Sequence, residues 1–186
     1  MTDTFPDGFP DFMPQALVVL SIGINPSLHA LRSGYPFAFA RNRFWPALNG
    51  SRLLAEPLLP GLAAMAVLGA RYGFGFTDVV KRATPGMKNL QAADYDRDAP
   101  LLLAKIRRHR PAVLWFHGKV AAREFLKRVT ELGDELPWGE QAQRVEGARV
   151  YISPNPSPAN ASYSVADLVA SYDGLAALRA RLSVQV

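Results

Sequence analysis

Apolar residues in this 186-residue chain fall into two patterns that alternate along its length. Continuous runs such as Ala16-Leu17-Val18-Val19-Leu20 and Ala112-Val113-Leu114-Trp115-Phe116 predict buried strands over 16–23 and 112–118. Phe74-Gly75-Phe76-Thr77-Asp78-Val79-Val80 predicts a shorter strand. Apolar positions at helical spacing predict helices from Phe44, with Pro46 in the first turn, and over 61–72, stopped by Gly73. Further helices are expected over 91–110, with Pro100 marking a break or fresh start, and over 119–132 and 165–182. Segments 141–146 and 148–153 are expected to pair across Gly147, and the stretch from Gly23 to about Arg43 reads as a long loop.

Strands alternating with helices predict an α/β fold with a mostly parallel sheet covered on both faces. Residues 16–186 are expected as one domain behind an N-terminal extension, residues 1–15. In such folds ligands bind beyond the carboxyl ends of the strands. Those ends read Gly23-Ile24-Asn25-Pro26, Thr77-Asp78, His117-Gly118-Lys119 and Pro154-Asn155-Pro156-Ser157. Four strand ends therefore deliver polar, turn-forming residues to one edge of the sheet.

Composition narrows the chemistry. The chain has no cysteine, which excludes disulfides, iron–sulfur clusters and thiolate zinc sites. Its three histidines show no metal-binding spacing, so a histidine-rich metal site is not expected. The formal charge of +5 suits a polyanionic partner. No apolar run approaches a membrane span of roughly 20 residues. The start of the chain has neither the basic region nor the apolar core of a signal peptide. A cytoplasmic or nuclear, non-secreted and monomeric protein is expected.

Single motifs remain ambiguous. Asn25 before Pro26 reads first as a turn residue, although a carboxamide fixed there can also orient a water. In the loop 33–45, Phe44 and Trp45 suit the core, whereas Phe37 is better placed to stack on a planar ligand. Asp94 lies at a helix start, where an acidic side chain usually caps. His117-Gly118-Lys119 lacks the upstream glycine of a P-loop.

Taken in order, Gly23-Ile24-Asn25-Pro26-Ser27-Leu28, Gly34-Tyr35-Pro36-Phe37, Asn42-Arg43-Phe44-Trp45, Gly75-Phe76-Thr77-Asp78 and Asn155-Pro156-Ser157 resemble the mismatch-specific uracil/thymine-DNA glycosylases of the uracil-DNA glycosylase superfamily. The resemblance implies a three-layer α/β/α sandwich and hydrolysis, with no metal and no cofactor, of the bond joining a flipped uracil, or thymine or another modified pyrimidine, to its sugar. The substrate would be double-stranded DNA carrying uracil or a mismatch. Asn25 matches the asparagine that positions water, and Phe37 the aromatic that stacks on the base. Ile24 and Asn155 match base-binding positions; Ser157, Pro158, Ala159, Asn160 and Arg43 are the expected DNA contacts. Asp78 and Asp94 are candidates for a carboxylate that assists Asn25. Ser27 stands where glycine is common, and Ala159 is small for a side chain that fills the gap left by a flipped base. The alternative is a non-catalytic protein that binds damaged or mismatched DNA.

Overall fold

The structure is a computed structural model and describes residues 9–131 and 135–183. Its centre is a five-stranded sheet of β1 (Val19–Gly23), β2 (Phe74–Asp78), β3 (Val113–His117), β4 (Gly139–Val145) and β5 (Ala148–Ser153). The spatial order is β2-β1-β3-β5-β4, parallel except for β4, which pairs antiparallel with β5. Glu146 and Gly147 close that hairpin with φ of 49° and 84°, the positive values a tight two-residue turn requires.

Side chains alternate across the sheet and build two cores. Leu20, Ile22, Leu114, Phe116, Val150 and Ile152 face α4 (Ala92–His109) and α5 (Lys119–Val129). Val19, Phe74, Phe76, Val113, Trp115 and Tyr151 face α2 (Phe44–Gly50), α3 (Leu62–Tyr72) and α6 (Val165–Ser183). These two helical layers around one sheet form the expected three-layer α/β/α sandwich. Phe44 and Trp45 are buried in the second core, as their position at a helix start suggested.

Three details differ from expectation. The loop after β1 contains a helix, α1 (Leu28–Ser33), whose start is capped by Ser27 Oγ accepting from the Ala30 N–H at 3.0 Å. Gly34, at φ 76°, ends it in the left-handed region. Pro100 does not interrupt α4: it lies on the solvent face, where water can meet the Asp96 carbonyl that loses its partner. The helix expected to reach residue 132 ends at Val129, and residue 132 lies outside the described residues.

The segment read as an extension packs on the domain from Phe9 onward. Phe12 forms an antiparallel bridge with Phe76 along the free edge of β2.

Candidate active site

The carboxyl ends of β1, β2 and β3 and the turn that follows β5 open into one cavity of about 620 Å³. That volume lies within the range of small-molecule sites. Of the residues expected to act, Ile24, Asn25, Phe37, Asp78, Asn155, Ser157, Ala159 and Asn160 line it. His117, Ser21, Thr84 and Lys119 line it as well. Asp94, Arg43 and Pro158 do not.

Beyond its regular end, β1 continues to follow the chain after β2. Val79 and Val80 donate backbone bonds to the carbonyls of Gly23 and Ile24, both at 2.9 Å. Thr84 N–H meets the Pro26 carbonyl at 3.2 Å. Asn25 projects from this zipper. Its Nδ2 donates to Thr84 Oγ1 at 2.8 Å, to the Arg82 carbonyl at 3.1 Å and to the Pro26 carbonyl at 3.2 Å. With the amide nitrogen committed, Oδ1 is the atom left to accept a bond from water. The turn and the water-holding roles of Asn25 are thus compatible in one geometry.

Gly23 and Asp78 are register partners on β1 and β2. The Asp78 carboxylate leans over Gly23, taking the space a Cβ there would need. Burial pushes the Asp78 carboxyl up to about 6, against the pull of Lys81. Such a group is largely ionised at neutral pH yet retains appreciable proton affinity.

Phe37 carries a φ of 57°, unusual for a residue with a bulky side chain. Holding it there costs on the order of 1–3 kcal/mol. The ring is fixed by stacking on Phe44, with centroids 4.0 Å apart and planes 13° off parallel. Its edge-on neighbours are Phe76 and His117, at 6.5 and 5.0 Å. Phe37 therefore enters the cavity as a rigid aromatic wall, already ordered before any ligand arrives.

His117, expected at this sheet edge but given no role, stands on the same wall. Ser21 Oγ lies 2.8 Å from its Nε2, and burial pushes the imidazole down to about 3, so it is neutral at physiological pH. A lone histidine at a strand end carries no sequence signal beyond its position.

The second Asn-Pro-Ser forms a self-bonded turn. Asn155 Oδ1 accepts from the Ser157 N–H at 2.9 Å, and the Asn155 carbonyl accepts from Asn160 Nδ2 at 3.0 Å.

Two of the expected residues stand outside the cavity wall and bond elsewhere. Asp94 is a structural cap: its Oδ2 accepts from the Gln91 N–H at 2.9 Å, completing a capping box at the start of α4. Both its oxygens also meet the Arg82 guanidinium, at 2.9 and 2.6 Å, and those bonds hold its carboxyl down to about 2. A carboxylate so stabilised is a poor proton acceptor. Its link to the site is indirect, because Arg82 offers the carbonyl that anchors Asn25.

Arg43 clasps the loop that carries Ser157 and Asn160. Its guanidinium donates to the carbonyls of Ser157 and Asn160, both at 2.6 Å, and to that of Tyr163. Its backbone N–H reaches the Pro156 carbonyl at 3.1 Å. The planar fork suits several carbonyls at once, and it ties the 156–163 loop to the start of α2.

Fold and cavity together define an α/β/α protein with an aromatic-walled pocket, sized for a small planar ligand, at the carboxyl ends of its strands. The chain belongs to the uracil DNA glycosylase superfamily, whose family model matches residues 10–175. It is 30% identical over 166 residues to a G/U mismatch-specific uracil DNA glycosylase of Schizosaccharomyces pombe. That match covers 84% of this chain and 49% of the relative, so the chain spans about half the length of the curated relative it matches. The fold is also similar to the solution structure of a Methanosarcina acetivorans protein provisionally described as a uracil DNA glycosylase. There the TM-score is 0.58 at 17% identity, covering 91% of this chain and 97% of the other.

Proposed function

We propose that this chain is a monofunctional glycosylase that hydrolyses the N-glycosidic bond of a uracil flipped out of duplex DNA opposite guanine, leaving an abasic site. Thymine or another modified pyrimidine is a further candidate base. The observation that carries the reading is the fixed carboxamide of Asn25 in one cavity with the Asp78 carboxylate and the Phe37 ring. Membership of the superfamily and similarity to the G/U mismatch-specific relative support the same reaction.

Extruding a base from the duplex costs a few kcal/mol, which stacking on Phe37 would help to offset. Asn25 Oδ1 holds a water against the sugar. As the bond breaks, its electron pair leaves with the base, and the water oxygen bonds to the anomeric carbon. Asp78 takes the proton that the water gives up and, until then, faces the positive charge developing on the sugar. An amide alone cannot accept that proton, so the carboxylate supplies what Asn25 lacks. The loop from Asn155 to Asn160 closes against the strand. The net charge of +5 favours the approach to a polyanion.

The test is single-turnover incubation with a duplex carrying one G·U pair, reading free uracil and strand integrity separately. Free uracil with an intact but alkali-labile strand is expected. Binding without release would support the non-catalytic DNA-binding reading instead, and strand cleavage without alkali would contradict a purely hydrolytic enzyme.

A further inference from the structure

The polypeptide ahead of β1 does more than cover a sheet edge. Phe12 exchanges two backbone bonds with Phe76, at 3.0 and 2.8 Å, so residues 9–13 run as a strap along β2. At one end of the strap, buried Phe9 forms part of the cavity wall. At its middle, Asp11 turns under the end of β2.

Asp11 is only 7% exposed, and it meets two lysines that are equally dry, Lys81 at 6% and Lys105 at 8%. Its Oδ1 accepts from Thr77 Oγ1 at 2.6 Å and from Lys81 Nζ at 2.7 Å. Its Oδ2 accepts from Lys105 Nζ on α4. Although burial opposes ionisation, the two lysines hold the Asp11 carboxyl below its ordinary value. Buried ion clusters are a weak source of net stability, because desolvation consumes most of the attraction. Their placement is therefore informative. Thr77 and Lys81 stand immediately before and three residues after Asp78, so Asp11 grips the strand end on both sides of that carboxylate.

We propose that Asp11 is a positioning residue for the active site: by binding Thr77 and Lys81 it fixes the end of β2 and sets the electrostatic surroundings in which Asp78 works. The strap is thus part of the active site. This rests on Asp78 acting as the proton acceptor, as proposed above. The charged groups that bear on Asp78 are Asp11 from the strap, Lys81 from the chain after β2 and Lys105 from α4. His117 on β3 is neutral. Lys81 and Lys105 favour the Asp78 carboxylate, and Asp11 opposes it.

The test compares pH–rate profiles for single-turnover uracil release by wild type, Asp11→Asn and Lys81→Gln, with duplex affinity measured in parallel. Removing a negative neighbour favours the carboxylate, so Asp11→Asn should move the acidic limb of the profile down by about one pH unit. Lys81→Gln removes a cation and should move it up by a similar amount, which a merely structural role would not produce. Duplex affinity should stay within about twofold of wild type in both variants. If Asp11→Asn fails to fold, Lys81→Gln still decides through the direction of its shift. A wild-type profile with a clear acidic limb that neither folded variant moves overturns the role of Asp11 alone. Full-rate release by Asp78→Asn overturns the reading on which it rests, and the proposal with it.

Discussion

Gly23 and Asp78 face one another across β1 and β2, and the carboxylate of one fills the space that a side chain on the other would require. A Cβ on Gly23 would lie 3.4 Å from Asp78 Cγ and would overlap Oδ1. Because the clash is with the tip of a side chain rather than with backbone, the sheet can absorb it. Gly23→Ala should therefore fold normally but release uracil at least tenfold more slowly. A melting curve beside a single-turnover assay checks both halves of this expectation.

Asp78 carries a pH signature in rate and in stability. With its folded pKa near 6, uracil release should rise with pH through about 6 and then level off. The stability effect has the opposite sense. A carboxyl raised in the fold stabilises below its unfolded value of 3.8, and that contribution is lost as pH rises through 6. Asp78→Asn should then lose the acidic limb and most of the rate, yet gain about 1–2 kcal/mol of stability at pH 8 relative to wild type. Denaturant melts at pH 5 and pH 8 measure the difference.

Asp94 should behave as a cap. Asp94→Asn retains the shape but weakens the bonds to Arg82 and Gln91, and should cost roughly 1 kcal/mol of stability. Its rate of uracil release should remain within a few-fold of wild type. The carboxyl of Asp94 is held low in the fold, so its contribution is present above pH 3.8 and fades as pH falls through about 2. The stability gap between variant and wild type should accordingly close in strong acid.

Arg43→Ala frees the loop that carries Ser157 and Asn160, and should weaken duplex binding about tenfold through loss of loop order. Because the guanidinium is spent on carbonyls, the dependence of affinity on salt should keep its wild-type slope. A lost phosphate contact would instead reduce that slope by about one. Titrations at several salt concentrations separate these outcomes.

The elements legible in the sequence are those whose pattern is set by local burial. β3 reads as a strand because Val113-Leu114-Trp115-Phe116 is apolar on both faces, and the structure buries it on both. α3 reads as a helix because its apolar spacing runs to Gly73. α1 is not legible in the pattern because it is six residues long and buries Ala30 alone, leaving Ser27 and Gly34 as its signals. Strand-end logic brought Asn25, Asp78 and Asn155 to one cavity. It could not separate Asp78 from Asp94, since that choice depends on Arg82 folding back onto α4. Nor could it show that Arg43 reaches carbonyls more than a hundred residues away, or that Asp11 reaches Thr77 and the two lysines. Polar contacts made at long range leave no periodicity to read.

The most direct measurement of the central claim is single-turnover uracil release from a G·U duplex by wild type and Asn25→Ala at pH 7.5, side by side. In the proposed mechanism the Asn25 carboxamide holds the water, so the variant should bind the duplex with near-wild-type affinity while its rate falls by about a hundredfold or more. Release by Asn25→Ala at a rate close to wild type would contradict the account.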